Sequence, residues 1–181
     1  MEKKRLKAEP ATLLSQHLHQ LNLDDQSRVL DLACGSGRNG LYLAETGAQV
    51  TFIDRDLSRL EPIPANCLQL CVDLETDTPA LEVAKAEYLA ANQYDLILVF
   101  NYLHRPLFEQ IKQAIKPGGF IVYETFINEQ ALHGRPKNPH FLLKPKELLQ
   151  QFEQFAPLHY FEGNVGCEDK PCFKAQLIAQ K

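Results

Sequence analysis

The sequence predicts an α/β fold, with a mostly parallel sheet and helices on both of its faces. Three observations predict it. Short apolar runs alternate with stretches of helical spacing through most of the chain, and that alternation builds parallel sheets with crossover helices. A glycine-rich stretch, Gly35-Ser36-Gly37-Arg38-Asn39-Gly40, follows directly on the apolar run Val29–Ala33, where such sheets turn from strand to helix around a ligand. Finally, the apolar runs Leu158–Phe161 and Phe173–Ala179 have no helical stretch between them. They close the sheet as a hairpin, which makes one strand antiparallel.

The elements follow in order. Leu13, Leu14, Leu18 and Leu21 recur at helical spacing, so residues 11–21 form a helix within an N-terminal helical segment, 1–26. Val29–Ala33 is a strand broken by glycines, and Gly40–Glu45 continues as a helix that Gly47 ends. Gln49–Ile53 and Cys67–Val72 are strands, the Ala-rich stretch Ala80–Ala91 is a helix, and Tyr94–Phe100 is a buried strand. Leu107–Ile115 is a helix stopped by Lys116-Pro117-Gly118-Gly119, because proline cannot continue it and glycine turns the chain. Phe120–Glu124 is the fifth strand, and Pro145–Phe155 is a helix with proline in its first turn. The stretch Thr125–Lys144 shows no regular pattern and follows the C-terminal end of a strand. Ligands bind at that edge of open α/β sheets, and an irregular stretch of this length is commonly functional. It reads as a lid-like insertion, 125–144.

The chain of 181 residues, 45% hydrophobic, is the size of a single domain with a full core. Its longest apolar run, Leu96–Phe100, is far too short to span a membrane. The charged start MEKKRLKAEP has no apolar segment behind it, so a cytoplasmic protein is expected. A net charge of −4 argues against a broad nucleic-acid surface and leaves room for a small local RNA site. The cysteines Cys34, Cys67, Cys71, Cys167 and Cys172 are odd in number and irregular in spacing, so reduced thiols are expected, with no disulfide framework and no metal site.

Gly35 and Gly37 let the backbone turn sharply and approach a ligand. G-x-G-x-x-G alone is the usual mark of a dinucleotide, whose pyrophosphate rests on free amides at the start of the next helix. Here Asp31 stands four residues before the first glycine and would repel a diphosphate. It suits a cation, such as an amino acid's ammonium or a sulfonium. Asp54 follows the second strand, where a carboxylate accepts from ribose hydroxyls. Asp73 follows the third, where one meets an adenine amino group. Either acid alone reads as a turn residue. Three acids at three successive strand ends, together with the loop, point to a nucleoside-bearing cation.

The motifs VLDLACGSGRNG, TFIDRD, CVDLE, YDLILVFNYLHR and KPGGFIVYE resemble those of class I S-adenosylmethionine-dependent methyltransferases, from about Pro10 to Glu124. The stretches EPATLL and DLACGSGRNGLYLAETGAQV are similar to the small bacterial enzymes of the tellurite-resistance type. The resemblance implies a Rossmann-like three-layer sandwich with seven strands, the last antiparallel. It implies that Asp31, Ala33, Gly35 and Gly37 cradle the methionine part of S-adenosylmethionine, or of the product S-adenosylhomocysteine. Asp54 then takes the ribose, Arg55 lies beside the adenine, and Asp73 and the Leu74 amide hold it. Phe100 and Asn101 close the methionine side, and Arg38 contacts the cofactor carboxylate or caps the loop.

Methyl transfer from a sulfonium is an in-line displacement, so alignment and exclusion of water matter most. A general base is needed only where the acceptor must lose a proton. Candidates for the acceptor side are His104 and Arg105 after the fourth strand, Tyr123 and Glu124 at the end of the fifth, and His133 and His140 in the lid, beside Arg135, Lys137 and Lys144. Tyr102 either lines the pocket or packs beneath the following helix. A strand-end N-P-P-[YF], the mark of amino-methylating enzymes of nucleic acids, is replaced by FNYLHR, so a small thiol, oxyanion or metalloid is the leading acceptor class. RNA or protein methylation is the first alternative. An NAD(P)-dependent oxidoreductase keeps the glycine pattern but lacks Tyr-x-x-x-Lys, and a non-catalytic cofactor-binding module is the last.

Overall fold

The computed structural model describes residues 9–76 and 78–181, so the first eight residues of the N-terminal segment lie outside it. In chain order the elements are α1 (Thr12–His17), β1 (Arg28–Leu32), α2 (Arg38–Ala44), β2 (Gln49–Asp54), β3 (Leu68–Cys71), α3 (Pro79–Tyr88) and β4 (Tyr94–Phe100). They continue as α4 (Phe108–Ala114), β5 (Ile115–Phe126), α5 (Gln130–His133), α6 (Glu147–Gln151), β6 (Ala156–Asn164) and β7 (Phe173–Gln180). The seven strands form one sheet in the order β3-β2-β1-β4-β5-β7-β6. Pairings from β3 to β5 are parallel, while β7 runs antiparallel to both β5 and β6.

Strand alternation divides the core into two layers. Leu30, Leu32, Ile97, Val99, Ile121 and Tyr123 face one side, where Leu81, Ile111 and Leu148 of α3, α4 and α6 cover them. Val29, Phe52, Leu96, Leu98, Phe100 and Val122 face the other, against Leu13 and Leu14 of α1 and Leu43 of α2. Strands buried on both faces read as near-continuous apolar runs, which is why β4 stood out in the sequence. Among the described residues no helix is long and apolar enough to cross a membrane.

The expected elements are present with shifted bounds, and each shift has a local cause. β5 begins at Ile115, not Phe120: Ile115 pairs with Tyr94, then Phe120 pairs with Leu96, and Lys116–Gly119 bulge between them. Pro117 cannot donate to a ladder and sits in the bulge, which the Lys116 ammonium fastens to the Asp95 carboxylate at 2.8 Å. The helix expected over 145–155 shrinks to α6, because Lys146 adopts a φ of +60° and starts the helix after the proline. α1 gives way to a tight 3-10 turn at Leu18–Gln20, and Pro106 sits in another, Arg105–Leu107, ahead of α4. The stretch after β5 is not wholly irregular. It holds α5 and a turn at Pro139–Phe141, and Ile127 bridges Leu143, so its two ends meet.

One glycine sets how closely α2 lies on the sheet. A Cβ on Gly40 would overlap Phe52 Cε1 and come within 2.7 Å of Asp31 Oδ2. Gly40→Ala is therefore expected to destabilise the fold by about 1–3 kcal/mol through overpacking. Urea unfolding checks this, and an unchanged midpoint would mean that α2 shifts freely.

Candidate active site

β1 ends at a turn that the chain holds by its own amides. Ala33, with φ +55°, and Gly35 and Gly37, with φ of +58° and +73°, take left-handed conformations. Cys34 N–H donates to the Ile53 carbonyl, and Gly37 N–H to that of Cys34. Asp31 is 2% exposed, and its Oδ2 accepts the Gly40 N–H at 2.9 Å. Burial pushes the Asp31 pKa up to about 7; the Gly40 amide opposes the rise, the Asp54 charge adds to it, and Arg38 counters it weakly. Burial, with Asp31 and Asp54 nearby, also pushes up the Cys34 thiol, which therefore stays protonated. Behind the loop, Asn39 Oδ1 accepts the Ala11 N–H at 2.8 Å and ties the chain before α1 to α2.

The acids after β2 and β3 help to build the loops they stand on. Asp54 Oδ2 accepts the Gly35 N–H at 2.7 Å and its Oδ1 the Asp56 N–H at 3.0 Å. Asp73 Oδ1 accepts the Glu75 N–H at 2.9 Å. Each oxygen keeps a further lone pair for a ligand donor. A cavity of about 290 Å³ is lined by Asp54, Arg55, Asp73, Leu74, Asn101 and Tyr102, among others. A second, of about 310 Å³, lies over Asp31, Gly35, Arg38 and Phe100. The two share Ala33, Arg59 and Asn101, so they form one trough along the carboxyl ends of β1 to β4. All the residues expected at the methionine and nucleoside ends, except Gly37, line it. Gly37 starts α2 from below, and a Cβ there would overlap Leu60. Arg38 donates to the Glu9 carbonyl at 3.1 Å and also lines a larger hollow of about 640 Å³, between α2 and the chain leading into α1.

On the far side of β4 most candidates hold structural partners. Tyr123 is in the core, and its hydroxyl donates to the Tyr102 carbonyl at 3.0 Å. Glu124 accepts from Lys174 Nζ and from Gln176 Nε2, both at 2.7 Å, while its backbone carbonyl takes the Asn101 N–H. Arg105 grips Glu147 with two donors, at 2.6 and 2.9 Å, and also reaches the carbonyls of His140 and Leu142. It thereby fastens the segment after β5 to α6. The His133 ring stacks on Phe173, and His140 is exposed. His104, half-buried, follows β4. Sequence reasoning missed Arg59, which borders both halves of the trough from a stretch without periodicity, and left Tyr102 undecided. Among the described residues no cluster of His, Cys, Asp or Glu could hold a metal.

The trough fits a cation joined to a nucleoside. The Gly40 amide, in the first turn of α2, is taken by Asp31, and a buried carboxylate with one backbone donor favours a positive partner. A methyltransferase-domain family matches residues 29–119, just over half of the chain. The chain belongs to that family, and it is a class I S-adenosylmethionine-dependent methyltransferase, as its motifs implied. Curated relatives named ubiquinone biosynthesis O-methyltransferase include one from Histophilus somni, 27% identical over 79% of this chain and 69% of its own length. One from Bordetella avium is 32% identical over 54% of this chain and 42% of its own. Among solved structures, TehB from Haemophilus influenzae superposes with a TM-score of 0.71 at 20% identity, over 99% of this chain and 65% of that one. A Burkholderia thailandensis 1,6-didemethyltoxoflavin N1-methyltransferase superposes at 0.60 and 18%, over 93% and 76%. These two likenesses show the fold.

Three outcomes follow from the acids. Asp31 titrates near 7 when folded, against 3.8 ordinarily. Its contribution to stability is full below about pH 3.8 and lost as pH rises toward 7. The ligand-free Asp31→Asn variant should therefore surpass the wild type in urea midpoint at pH 8 by more than at pH 5. The wild type should bind S-adenosylhomocysteine more tightly at pH 8 than at pH 6 and release a proton, measured calorimetrically in two buffers. An affinity that ignores pH would remove the Asp31 carboxylate from contact with the ligand's ammonium. Asp54→Ala should weaken the same ligand by about 1.5–3 kcal/mol for each charge-assisted hydrogen bond lost, and a folded variant with unchanged affinity would take Asp54 out of the site.

Proposed function

We propose that the enzyme methylates a small molecule, and that its cofactor lies along the trough between Asp31 and Asp73. In this reading Asp31 faces the ammonium, and Gly35 and Ala33 give the methionine part an open backbone to rest on. The would-be Cβ of Gly35 meets nothing within 4 Å, so the space above it is free for a ligand. Asp54 takes the ribose, and Asp73 with Leu74 takes the base. Phe100 and Asn101 separate this half from the acceptor. The cofactor supplies an activated methyl on sulfur. The chain's task is to align an acceptor with it and to keep water out.

The observation that carries the small-molecule reading is the fixed wall beyond β4. Glu124–Lys174 and Arg105–Glu147 close it with ion pairs, and the segment 127–143 returns on itself at the Ile127–Leu143 bridge. The remaining openings, of 290 to 640 Å³, have the volume of small-molecule sites. The relatives' names point the same way, since a quinone precursor and a toxoflavin precursor are small molecules. One observation favours RNA or protein instead: residues 130–146 expose Arg135, Lys137, Lys144 and Lys146 and contain no acid.

The test is transfer of labelled methyl from S-adenosylmethionine to separate pools of phenols and catechols, thiols, oxyanions of sulfur, selenium and tellurium, total RNA and protein. Label in a small-molecule pool alone is expected. Label in RNA or protein, lost when Arg135 and Lys137 are replaced by glutamate, would overturn the reading.

A further inference from the structure

Residues 130–146 present bare apolar side chains among bare cations. Leu132 in α5 is 84% exposed, the most of any large apolar side chain among the described residues, and Phe141 is 44% exposed. Arg135, Lys137, Lys144 and Lys146 are exposed too, and among the described residues none of their side chains makes a hydrogen bond or ion pair. The segment contains no acid, and Glu147, which follows it, is spent on Arg105. It carries four positive charges in a chain of net charge −4, so the remainder of the chain stands at −8. The exposure is built in. Gln130 is buried, its Nε2 donates to the Arg135 carbonyl at 3.1 Å and its Oε1 accepts the Phe173 N–H at 2.7 Å. Leu132, two residues further round the helix, therefore faces outward. Arg105 holds the carbonyls of His140 and Leu142, on either side of Phe141.

We propose that this segment is a peripheral membrane contact, in which Leu132 and Phe141 enter the acyl boundary of a bilayer and the four cations meet anionic head groups. Apolar side chains flanked by lysine and arginine hold a protein to an anionic surface by burial and by charge together. Exposed apolar side chains fixed in this way mark a contact surface. Bases stack on aromatic rings and guanidinium planes, so a nucleic acid has a use for the cations and for Phe141 but none for Leu132. A fluid bilayer takes both apolar side chains without a matching pocket for either. The segment follows the C-terminal end of β5, so docking brings the ligand edge of the sheet toward the bilayer. The proposal concerns attachment and does not depend on the choice of methyl acceptor.

The chain has no tryptophan, so Leu132→Trp sets a single indole at the point of entry. The probes are vesicles of phosphatidylglycerol and phosphatidylcholine in equal parts, and vesicles of phosphatidylcholine alone. With the mixed vesicles the indole emission should move to the blue and be quenched by lipids brominated on their acyl chains. With phosphatidylcholine alone it should do neither. In sedimentation the wild type should bind the mixed vesicles. Arg135→Gln and Lys137→Gln should each weaken that binding about fivefold, and Leu132→Ser about tenfold or more. Each variant should keep the wild-type melting temperature and its affinity for S-adenosylhomocysteine, which separates lost docking from lost fold. No binding to the mixed vesicles would overturn the proposal. Binding with unshifted indole emission would overturn it too, since charge alone or another face would then hold the protein. So would binding of a single-stranded RNA in place of vesicles, lost in the Arg135 and Lys137 variants and kept in Leu132→Ser, by assigning the cations to a nucleic acid.

Discussion

The contact between the Asp31 carboxylate and the Gly40 amide governs how the whole ligand edge is built. It joins the end of β1 to the first turn of α2 across a distance that no side chain at position 40 would permit, because Phe52 and Asp31 together fill the space. With α2 so close, Asn39 reaches the Ala11 amide and brings α1 down on the same face. Gly37 can then enter the helix in a left-handed conformation under Leu60. The contact also buries a carboxylate with one backbone donor, an arrangement that is costly for the charged form. Packing alone would be better served by an apolar residue there. A titratable group so perturbed, on the wall of a cleft, makes a candidate functional position.

Beyond β4 the edge follows another electrostatic rule. Among the described residues, no basic side chain is bonded to the acids at the ends of β1, β2 and β3. Past β5 the nearby charges are paired, with Lys174 on Glu124 and Arg105 on Glu147. Lys174–Glu124 is buried on both sides, so removing one member would leave the other uncompensated, at a cost of about 3–5 kcal/mol. These pairs therefore set geometry more than they add net stability. One ties β7 to β5, and the other ties α6 and the carbonyls of the returning segment to the chain after β4. The acid half is left with open coordination for a cation, and the paired half is a stiff wall. Methyl transfer asks for that division, since its rate comes from alignment and not from proton movement at the donor.

Much of this was legible in the chain, and the reasons differ by residue. Buried strands such as Tyr94–Phe100 announce themselves because both faces need apolar side chains. The trough was legible because its lining is a loop and three strand-end acids, which lie near one another in sequence registers that the fold aligns. The bulge at Lys116–Gly119 was not, since proline and glycine mark a turn and a bulge alike, and only the partner strand distinguishes them. Tyr123 and Glu124 read as candidates because they end a strand at the ligand edge. Their commitments, to the Tyr102 carbonyl and to Lys174 some fifty residues away, depend on an antiparallel pairing whose register the sequence does not state. Arg59 and Tyr102 were obscure for the opposite reason, since nothing periodic surrounds them.

The same glycine pattern serves dinucleotides and sulfonium nucleosides, and the structure indicates where the two diverge. A pyrophosphate needs free amides at the turn, because its charge is stabilised by donors that nothing else has taken. Here the Gly35 amide is taken by Asp54 and the Gly40 amide by Asp31. The turn has been converted from a surface of donors into one backed by acceptors, with its glycines and its shape unchanged. The glycines state only that a ligand comes close to the backbone. The acids that capture their amides set the charge of the surface behind the turn, which the glycine spacing does not state. That logic ends at β4. Nothing in the capture of those two amides bears on the methyl acceptor, which lies outside the part of the edge that they shape.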